Sequence, residues 1–547
     1  MGRGTYLARV VVSGDNSRRL THVNLDSDPA PATTRLALAS LFRYSPALIL
    51  ITVAIADLIR FSDPDLWGHI RFGQAVLREG NIIWRDPYSY SAPGHLWLNH
   101  EWLSELVMGA IYNHLNVFGL KLMKVGCTAL IMIFLVAAES EADAPTLIQF
   151  ATLITAAVTI APQIQFRPQI FSFALLSALT YLLAREVYGR RGGRLWLAIP
   201  MLALWANLHG GFILGIATLG IFTAVSTVQD IVARRGIARA LRLGTITALA
   251  IAATLLTPYG IGTWQAVLHA LFDPYTRIVI MDWQPLVVSL VKNLTTAPLS
   301  ALYLELAVLL MASMLFSYIL TPTKDDLPLI VIAAVMSVAA FLAVRNLPVA
   351  VIAICAPLAR HLPLALERRW PAIRNDAGAS RPATRLNQLI LTILALIIFW
   401  RSDFFSNHLT SVDSYPVSAC AFIKEHKLKG NVLGLFGWGE YLIWHFAPES
   451  KVFMDGRYDT IYPKQILEIF FAFNYGQPGA EIAITRFPTD YVLIAPDIGA
   501  RKFMDSRKDW TLLYSDAWSR LYARANSPAA HIPGIPVAGT ARQVTFP

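Results

Sequence analysis

Residues 63–105 read DPDLWGHIRFGQAVLREGNIIWRDPYSYSAPGHLWLNHEWLSE. The stretch directly follows the first apolar segment, yet it packs carboxylates, histidines, arginines and tryptophans into a chain that is otherwise mostly lipid-soluble. A polar loop this dense belongs at a membrane surface. Asp63 and Asp65 stand two apart around Pro64, and an extended backbone there puts both carboxylates on one face, where they can converge on one cation or one sugar hydroxyl. Asp is also a favoured helix N-cap and Pro is common in a first turn, so one acid can start a helix over Leu66–Leu77. A cap needs one acid, and here there are two. His69 and Arg71, two apart on that helix, point in different directions, toward substrate or toward lipid headgroups. Asn99, His100 and Glu101 close the loop. His100 with Asp63 and Asp65 is a candidate ligand set for a divalent cation, although the spacing is looser than that of a compact metal motif. The blander reading makes the closing knot an interface anchor with Trp97 and Trp102.

The rest of the chain sets this loop in a membrane. Of 547 residues, 55% are hydrophobic and only 15% charged, with a mean hydropathy of +0.49. That is a polytopic membrane protein by composition. Apolar runs predict spans near 36–60, 120–138, 146–162, 170–187, 194–209, 211–232, 240–257, 298–320, 327–343, 347–362 and 384–401. The run Trp102–Phe118 is short and interrupted by His114 and Asn116, which suggests an interfacial helix; if it spans, the count becomes twelve. The net charge of +10 needs no nucleic acid partner, because basic residues in short loops beside apolar segments follow the positive-inside rule. Cys127, Cys355 and Cys420 offer no disulfide framework.

Three basic clusters give the orientation: Arg185, Arg190, Arg191 and Arg194; Arg234, Arg235, Arg239 and Arg242; His361, Arg368, Arg369 and Arg374. With eleven spans all fall on the side of a cytoplasmic tail, residues 1–35. The other side receives the 63–105 loop, Gln165–Gln169, Asn207–Gly211, Thr257–Gly260, Met281–Pro285 and Val344–Asn346. Polar groups where the bilayer ends are costly unless they line a wet cavity or bind something, so an active-site cavity on that side is expected. Its candidate lining is Arg167, Asn207, His209, Asp282, Trp283 and Arg345 with the loop residues. After residue 401 the composition shifts to short β-rich runs alternating with helix-like stretches, a small α/β domain over 402–525 outside the cytoplasm. Asp455-Gly-Arg457 is most simply a turn. The Pro/Ala/Gly-rich end, 526–547, is expected to be disordered.

The ordered set DPDLWGHIRFGQ, DPYSYSAPG, HEWLSE, RPQIFSF, WANLHGGFILG and FMDGRYD resembles a bacterial branch of the C-type glycosyltransferase superfamily, across nearly the whole chain. The resemblance implies a mainly α fold, a transmembrane bundle over 36–401 with a catalytic first external loop at 61–119, in a bacterial inner membrane. It implies a donor sugar on polyprenyl phosphate, an extracytoplasmic acceptor that is a lipid, a glycan or a protein, and usually inversion at the anomeric carbon. It also implies that a first-loop carboxylate, Asp65 before Asp63, activates the acceptor or holds a metal such as Mg or Mn. A departing phosphate calls for cationic clamps, and Arg167 and Arg345 suit it because guanidinium binds phosphate oxygens as a fork. His209 and Asn207 complete that cradle. Two other classes stay open: a transporter or flippase, which would be expected to show related halves, and a non-catalytic assembly protein acting through the C-terminal domain.

Overall fold

The computed structural model describes residues 63–189, 193–273, 281–296, 298–370 and 415–532, with short pieces at 393, 396–397, 409–410, 535–536 and 545–546. The expected tail at 1–35 and span at 36–60 lie outside the described residues, as does nearly all of the span at 384–401. The apolar runs form α1 (Leu66–Glu79), α2 (Trp102–Glu141), α3 (Thr146–Ile160), α4 (Gln169–Tyr188), α5 (Ala198–Leu208), α6 (Phe212–Val232), α7 (Ala238–Ala253), α8 (Ile261–Phe272), α9 (Leu286–Thr296), α10 (Pro298–Leu320), α11 (Leu327–Leu342) and α12 (Leu347–Arg369). Among the described residues, five stretches are long and apolar enough to cross a membrane: Trp102–Glu141, Gln169–Tyr188, Phe212–Val232, Ala301–Leu320 and Val344–Arg369. The protein is a multi-pass membrane protein. Several expected spans are shorter, with 15 residues in α3, 11 in α5 and 16 in α11. At about 1.5 Å per residue these fall short of a roughly 30 Å hydrocarbon core.

The expected break at 118 is absent. Trp102 to Glu141 is one 40-residue helix, kinked at Asn116, where φ is 50°. With ψ at −148° that residue leaves both helical regions for a single step, so the polar interruption bends the helix without ending it. A helix of that length reaches about 60 Å, twice the hydrocarbon thickness, so the part before the kink stands outside a single crossing.

That outer part packs on α1 at a crossing made by Gly73 and Gly109. A Cβ at Gly73 would overlap the Glu105 carbonyl, and one at Gly109 would press on Gly73. Two side chains one turn before these glycines, His69 and Glu105, are thereby brought together.

The C-terminal part adds α13 (Val417–Glu425), α14 (Gly439–Phe446) and α15 (Lys464–Tyr475) to a small sheet. Its strands are β2 (Val432–Leu433), β3 (Tyr491–Ile494), β4 (Trp510–Ser515), β5 (Arg520–Arg524) and β6 (Ile535–Pro536), in the order β2-β3-β5-β4-β6. β2 runs parallel to β3 and β4 to β6, while β5 is antiparallel to both its neighbours. The stretch KVFMD makes only a bridge, Val452 pairing with Val432 on one side and with Ser89 of the first loop on the other. Tyr90 N–H donates to the Val452 carbonyl at 3.1 Å, and Val452 N–H to the Tyr88 carbonyl at 3.0 Å. The first loop thus adds to the edge of the C-terminal sheet.

One apolar core unites them, with Leu66, Trp67, Phe72, Tyr88, Trp97 and Met108 in the same buried cluster as Tyr415, Tyr441, Phe453 and Phe470. A second cluster fills the bundle. Pieces of the terminal stretch expected to lack structure are ordered: β6 pairs with β4, and β7 (Thr545–Phe546) pairs with β1 (Leu409–Thr410), fully burying Phe546. Phe546 closes against Trp67, Tyr112 and Trp444. An aromatic residue on that hydrophobic shelf offsets the local cost of ordering. Cys127, Cys355 and Cys420 are free and buried.

Candidate active site

A cavity of about 420 Å³ opens where the turns of the bundle meet the C-terminal domain, and Asp65, His69, His100, Glu101, Arg167, His209, Asp282, Trp283 and Arg345 all line it. These residues come from six separate segments of the chain, the same turns that the sequence places on one side of the membrane. Three other expected residues lie off its wall. Asp63 is 2% exposed beneath it. Arg71 turns away and donates to the Ala447 carbonyl at 2.8 Å. Asn207 accepts from Trp102 Nε1 at 3.2 Å and donates to the Ala203 and Leu256 carbonyls, so it ties helices together.

The two acids of the opening motif divide the two roles the sequence left open. Asp63 Oδ1 accepts the Asp65 N–H at 2.9 Å, which builds the turn into α1, and its other oxygen meets Arg167 Nε. Asp65 occupies the N-cap position, yet its side chain makes no cap bond, and it faces the cavity. Burial pushes the Asp65 carboxyl up to about 6, against the pull of His69 and with Glu101, Asp455 and Asp282 adding to the rise.

Arg167 sits in the turn before α4. Besides Asp63, its Nη2 lies 3.3 Å from Asp65 Oδ2 and its Nη1 3.3 Å from Asp282 Oδ2. Arg345, in the turn between α11 and α12, stacks 4.5 Å from the Trp283 ring and makes no carboxylate pair among the described residues. That turn is held to the Asp282-Trp283 turn by the Val344 N–H, which donates to the Gln284 carbonyl at 3.0 Å. Of the two expected phosphate clamps, Arg345 is therefore the less neutralised.

Histidine 209 is held as a neutral ring with a fixed tautomer. The Gly211 N–H donates to its Nδ1 at 2.9 Å. Ser172 Oγ lies 2.7 Å from the same nitrogen and itself accepts from Trp205 Nε1 at 2.6 Å. Nδ1 is thus an acceptor, and Nε2 carries the proton 3.5 Å from Glu101 Oε1. Burial lowers the His209 pKa to about 4. Glu101 is lowered in its turn: burial opposes its charge, but His100, His69, His209 and Arg345 outweigh it.

Sequence reading missed Glu105, Glu440 and the buried role of Arg457. Glu105 Oε1 lies 3.1 Å from His69 Nδ1, and Asn99 Nδ2 donates to its Oε2. The i, i+4 pattern His69…Gly73 and Glu105…Gly109 was the available signal, two small residues marking a close helix crossing one turn from each polar group. Glu440, in GWGEY, lies against α1 at Gly68, where a Cβ would overlap its Oε2. It is 3% exposed, its Oε2 makes no hydrogen bond among the described residues, and burial with nearby Asp65 and Asp455 raises its pKa well above the usual range. Nothing in an apolar flank marks such an acid. Arg457 is buried, bidentate on Asp455 at 2.8 and 2.7 Å and 2.8 Å from Asp86 of the first loop. Its guanidinium also lies 4.7 Å from the Trp97 ring. The DGR motif is thus a clamp between domain and loop, and Trp97, 3% exposed, is a core residue and not an interface anchor.

Among the described residues, the group whose potential ligand atoms lie within 4.8 Å of one another is His69, Glu101 and Glu105. The expected set was Asp63, Asp65 and His100. His69, Glu101 and Glu105 form a possible cation site, in which Asn99 Nδ2 donates to Glu105 Oε2 and His69 Nδ1 lies 3.1 Å from Glu105 Oε1. Of the expected set, Asp63 is committed to Arg167 and a backbone N–H.

No protein-family model matches the chain, and no curated protein matches it. Solved structures do. The archaeal oligosaccharyltransferase AglB from Archaeoglobus fulgidus, in complex with an inhibitory peptide and a dolichol-phosphate, aligns with a TM-score of 0.51 at 13% identity, covering 85% of this chain and 70% of that one. The same organism's oligosaccharyltransferase tethered to an acceptor peptide gives 0.50 at 12% identity, over 83% and 69%. The arabinofuranosyltransferase AftD from Mycobacteria gives 0.50 at 14% identity over 87% of this chain, which spans 40% of AftD. At such identities the likeness is one of fold. The chain has the C-type glycosyltransferase fold that its sequence motifs resemble.

Proposed function

We propose that the protein is an integral membrane glycosyltransferase that moves a sugar from a polyprenyl-phosphate donor to an extracytoplasmic acceptor, in a bacterial inner membrane with the C-terminal domain outside the cytoplasm. The observation that carries this reading is the meeting, in one cavity, of a carboxylate freed from capping, Asp65, with cations suited to a phosphate, Arg345 and His69. The cavity volume suits a sugar-phosphate head. Its apolar wall from α6 and α8, Ile213, Leu214, Val267 and Leu271, suits the first units of a prenyl chain.

In this mechanism Asp65 takes the proton of the acceptor hydroxyl as its oxygen bonds to the anomeric carbon. The bond from that carbon to the phosphate oxygen breaks on the opposite face, which inverts the centre. The departing phosphate keeps the electron pair, and Arg345 and His69 stabilise its charge. Arg167, shared among three carboxylates, orients Asp65 and Asp282.

The test is donor consumption. Purified protein in lipid, given a panel of labelled polyprenyl-phosphate sugars with membrane-extract acceptors, is expected to release polyprenyl phosphate from one of them. Intact donors across the panel, with uptake of a labelled solute into proteoliposomes, would replace this reading with a transporter.

A further inference from the structure

The C-terminal domain brings into the cavity one carboxyl group that the packing of the fold does not account for. Glu440 stands in the first turn of α14, which packs on α1. The two helices approach closely because Gly68 has no side chain; a Cβ there would overlap Glu440 Oε2. On the other side, a Cβ at Gly439 would overlap the Met454 carbonyl, so the start of α14 also lies on the turn that carries Gly456. Glu440 is thereby fixed between the first helix of the bundle and the DGR turn, 3% exposed, and it lines the cavity.

The protein leaves this side chain unsatisfied. Its Oε2 is buried without a hydrogen bond among the described residues. Arg457 and Arg167, whose charges reach it, are committed elsewhere: Arg457 to Asp455 and Asp86, and Arg167 to Asp63, Asp65 and Asp282. A buried polar group without a partner is costly, and in a native structure it calls for an explanation.

Asp65 supplies the explanation. A Cβ on Gly456 would overlap Asp65 Oδ1 and stand 2.9 Å from Glu440 Oε1. Two carboxyl oxygens, one from the bundle and one from the C-terminal domain, therefore flank a single spot on the cavity wall that a glycine keeps open. A lone acceptor hydroxyl has one proton to donate, and Asp65 takes it. An adjacent hydroxyl on the same ring brings the second donor that Glu440 lacks. Phe436 and Tyr458 line the same wall and offer apolar faces to the C–H side of such a ring.

We propose that Glu440 is an acceptor-binding residue, and that the acceptor is a glycan presenting two adjacent ring hydroxyls, one attacking from Asp65 and the other donating to Glu440. The acceptor class rests on the glycosyltransferase reading above. The role of Glu440 is the same whether or not it carries a proton, because a carboxyl and a carboxylate both keep an oxygen that accepts an O–H. The C-terminal domain is on this account one half of the acceptor site.

The experiment uses the full chain in nanodiscs, the polyprenyl-phosphate sugar that the wild type consumes, and a panel of methyl hexopyranosides with their monodeoxy analogues as acceptors. For one pyranoside, removing the hydroxyl next to the attacked one is expected to raise KM by about tenfold to a hundredfold, the range for losing a hydrogen bond to a charged group. Glu440→Ala should raise KM for the parent pyranoside by the same factor, far more than it changes kcat, and should add nothing for the deoxy analogue. Glu440→Gln keeps a carbonyl oxygen in place, guards against a folding defect and should stay within about threefold of the wild type. Equal weakening of parent and deoxy acceptors in Glu440→Ala marks a structural role and overturns the proposal, as does transfer to peptides or lipid alcohols with every pyranoside refused. Saturation-transfer NMR of the same pyranosides needs no donor. Binding that Glu440→Ala abolishes, in a protein that consumes no polyprenyl-phosphate sugar, sinks the donor reading and leaves the glycan subsite standing; no such binding and no consumption overturn both.

Discussion

Two buried histidine–carboxylate pairs stand at the two ends of the bundle, and they differ in what is left over. At the end away from the cavity, His361 Nε2 lies 3.0 Å from Asp326 Oδ2 and Nδ1 2.8 Å from Thr321 Oγ1. Tyr188 donates to the same aspartate at 2.7 Å and Thr323 at 3.1 Å. Every polar valence of the ring is closed, and the pair staples the ends of α4, α10, α11 and α12. At the cavity end, His69 uses one nitrogen on Glu105 and leaves the other to the cavity, while Asp65 and Arg345 also hold back part of their capacity. Closed networks specify packing, and open valences at a cavity mark a site. His361, counted in the sequence among the loop cations, is fully buried in such a network.

The sharpest way to break this contrast is to remove each end in turn. His361→Ala leaves Asp326 buried without its partner, so we expect a loss of about 3–5 kcal/mol of stability, seen as a lower unfolding temperature, with the activity of the remaining folded protein unchanged. Arg345→Gln should do the reverse, leaving the unfolding temperature in place and cutting donor turnover by about 10²–10³, the usual cost of losing one transition-state charge contact. If His361→Ala were as stable as the wild type, or Arg345→Gln as active, the division between staple and site would fail.

The pH profile is the next test. A raised Asp65 must ionise to act as base, so the rate should climb through about pH 6; a raised His69 must keep its proton, so it should fall through about pH 9, roughly tenfold per unit beyond each limb. The His69 pair also contributes stability that is complete below its ordinary 6.5 and lost as the pH rises through about 9. Initial rates and melting curves across pH 5–10 measure both. The smallest effect is expected at Arg185, whose 3.1 Å pair with Glu141 is partly solvated. Arg185→Gln should shift stability by less than about 1 kcal/mol.

Much of this site was legible because membranes make polar residues conspicuous. Arg167, His209, Asp282 and Arg345 stand at the ends of apolar runs and Asp65 and His100 in a dense polar loop between them, and the cost of placing such groups at a bilayer edge marks them. What decides between neighbours is packing, which the sequence shows only faintly. Asp63 and Asp65 look alike until one is buried beneath the cavity on a backbone N–H and the other faces into it, and Asn207 and His209 until one ties helices together. Glu440 and Arg457 come from the C-terminal domain more than 300 residues away, and contacts that no local pattern announces, such as the pairing of Ser89 with Val452 and of Asp86 with Arg457, bring that domain onto the first loop. The long helix was misread at Asn116 because a polar break in an apolar run looks the same whether the helix stops or bends.

The central claim is that Asp65, freed of any capping duty, is the base. It is tested most directly by polyprenyl-phosphate release from the accepted donor, measured for wild type, Asp65→Asn and His361→Ala in the same lipid. We expect turnover to fall by about 10²–10⁴ in Asp65→Asn with an unchanged melting temperature, while folded His361→Ala retains its rate. Full activity in Asp65→Asn would contradict the account.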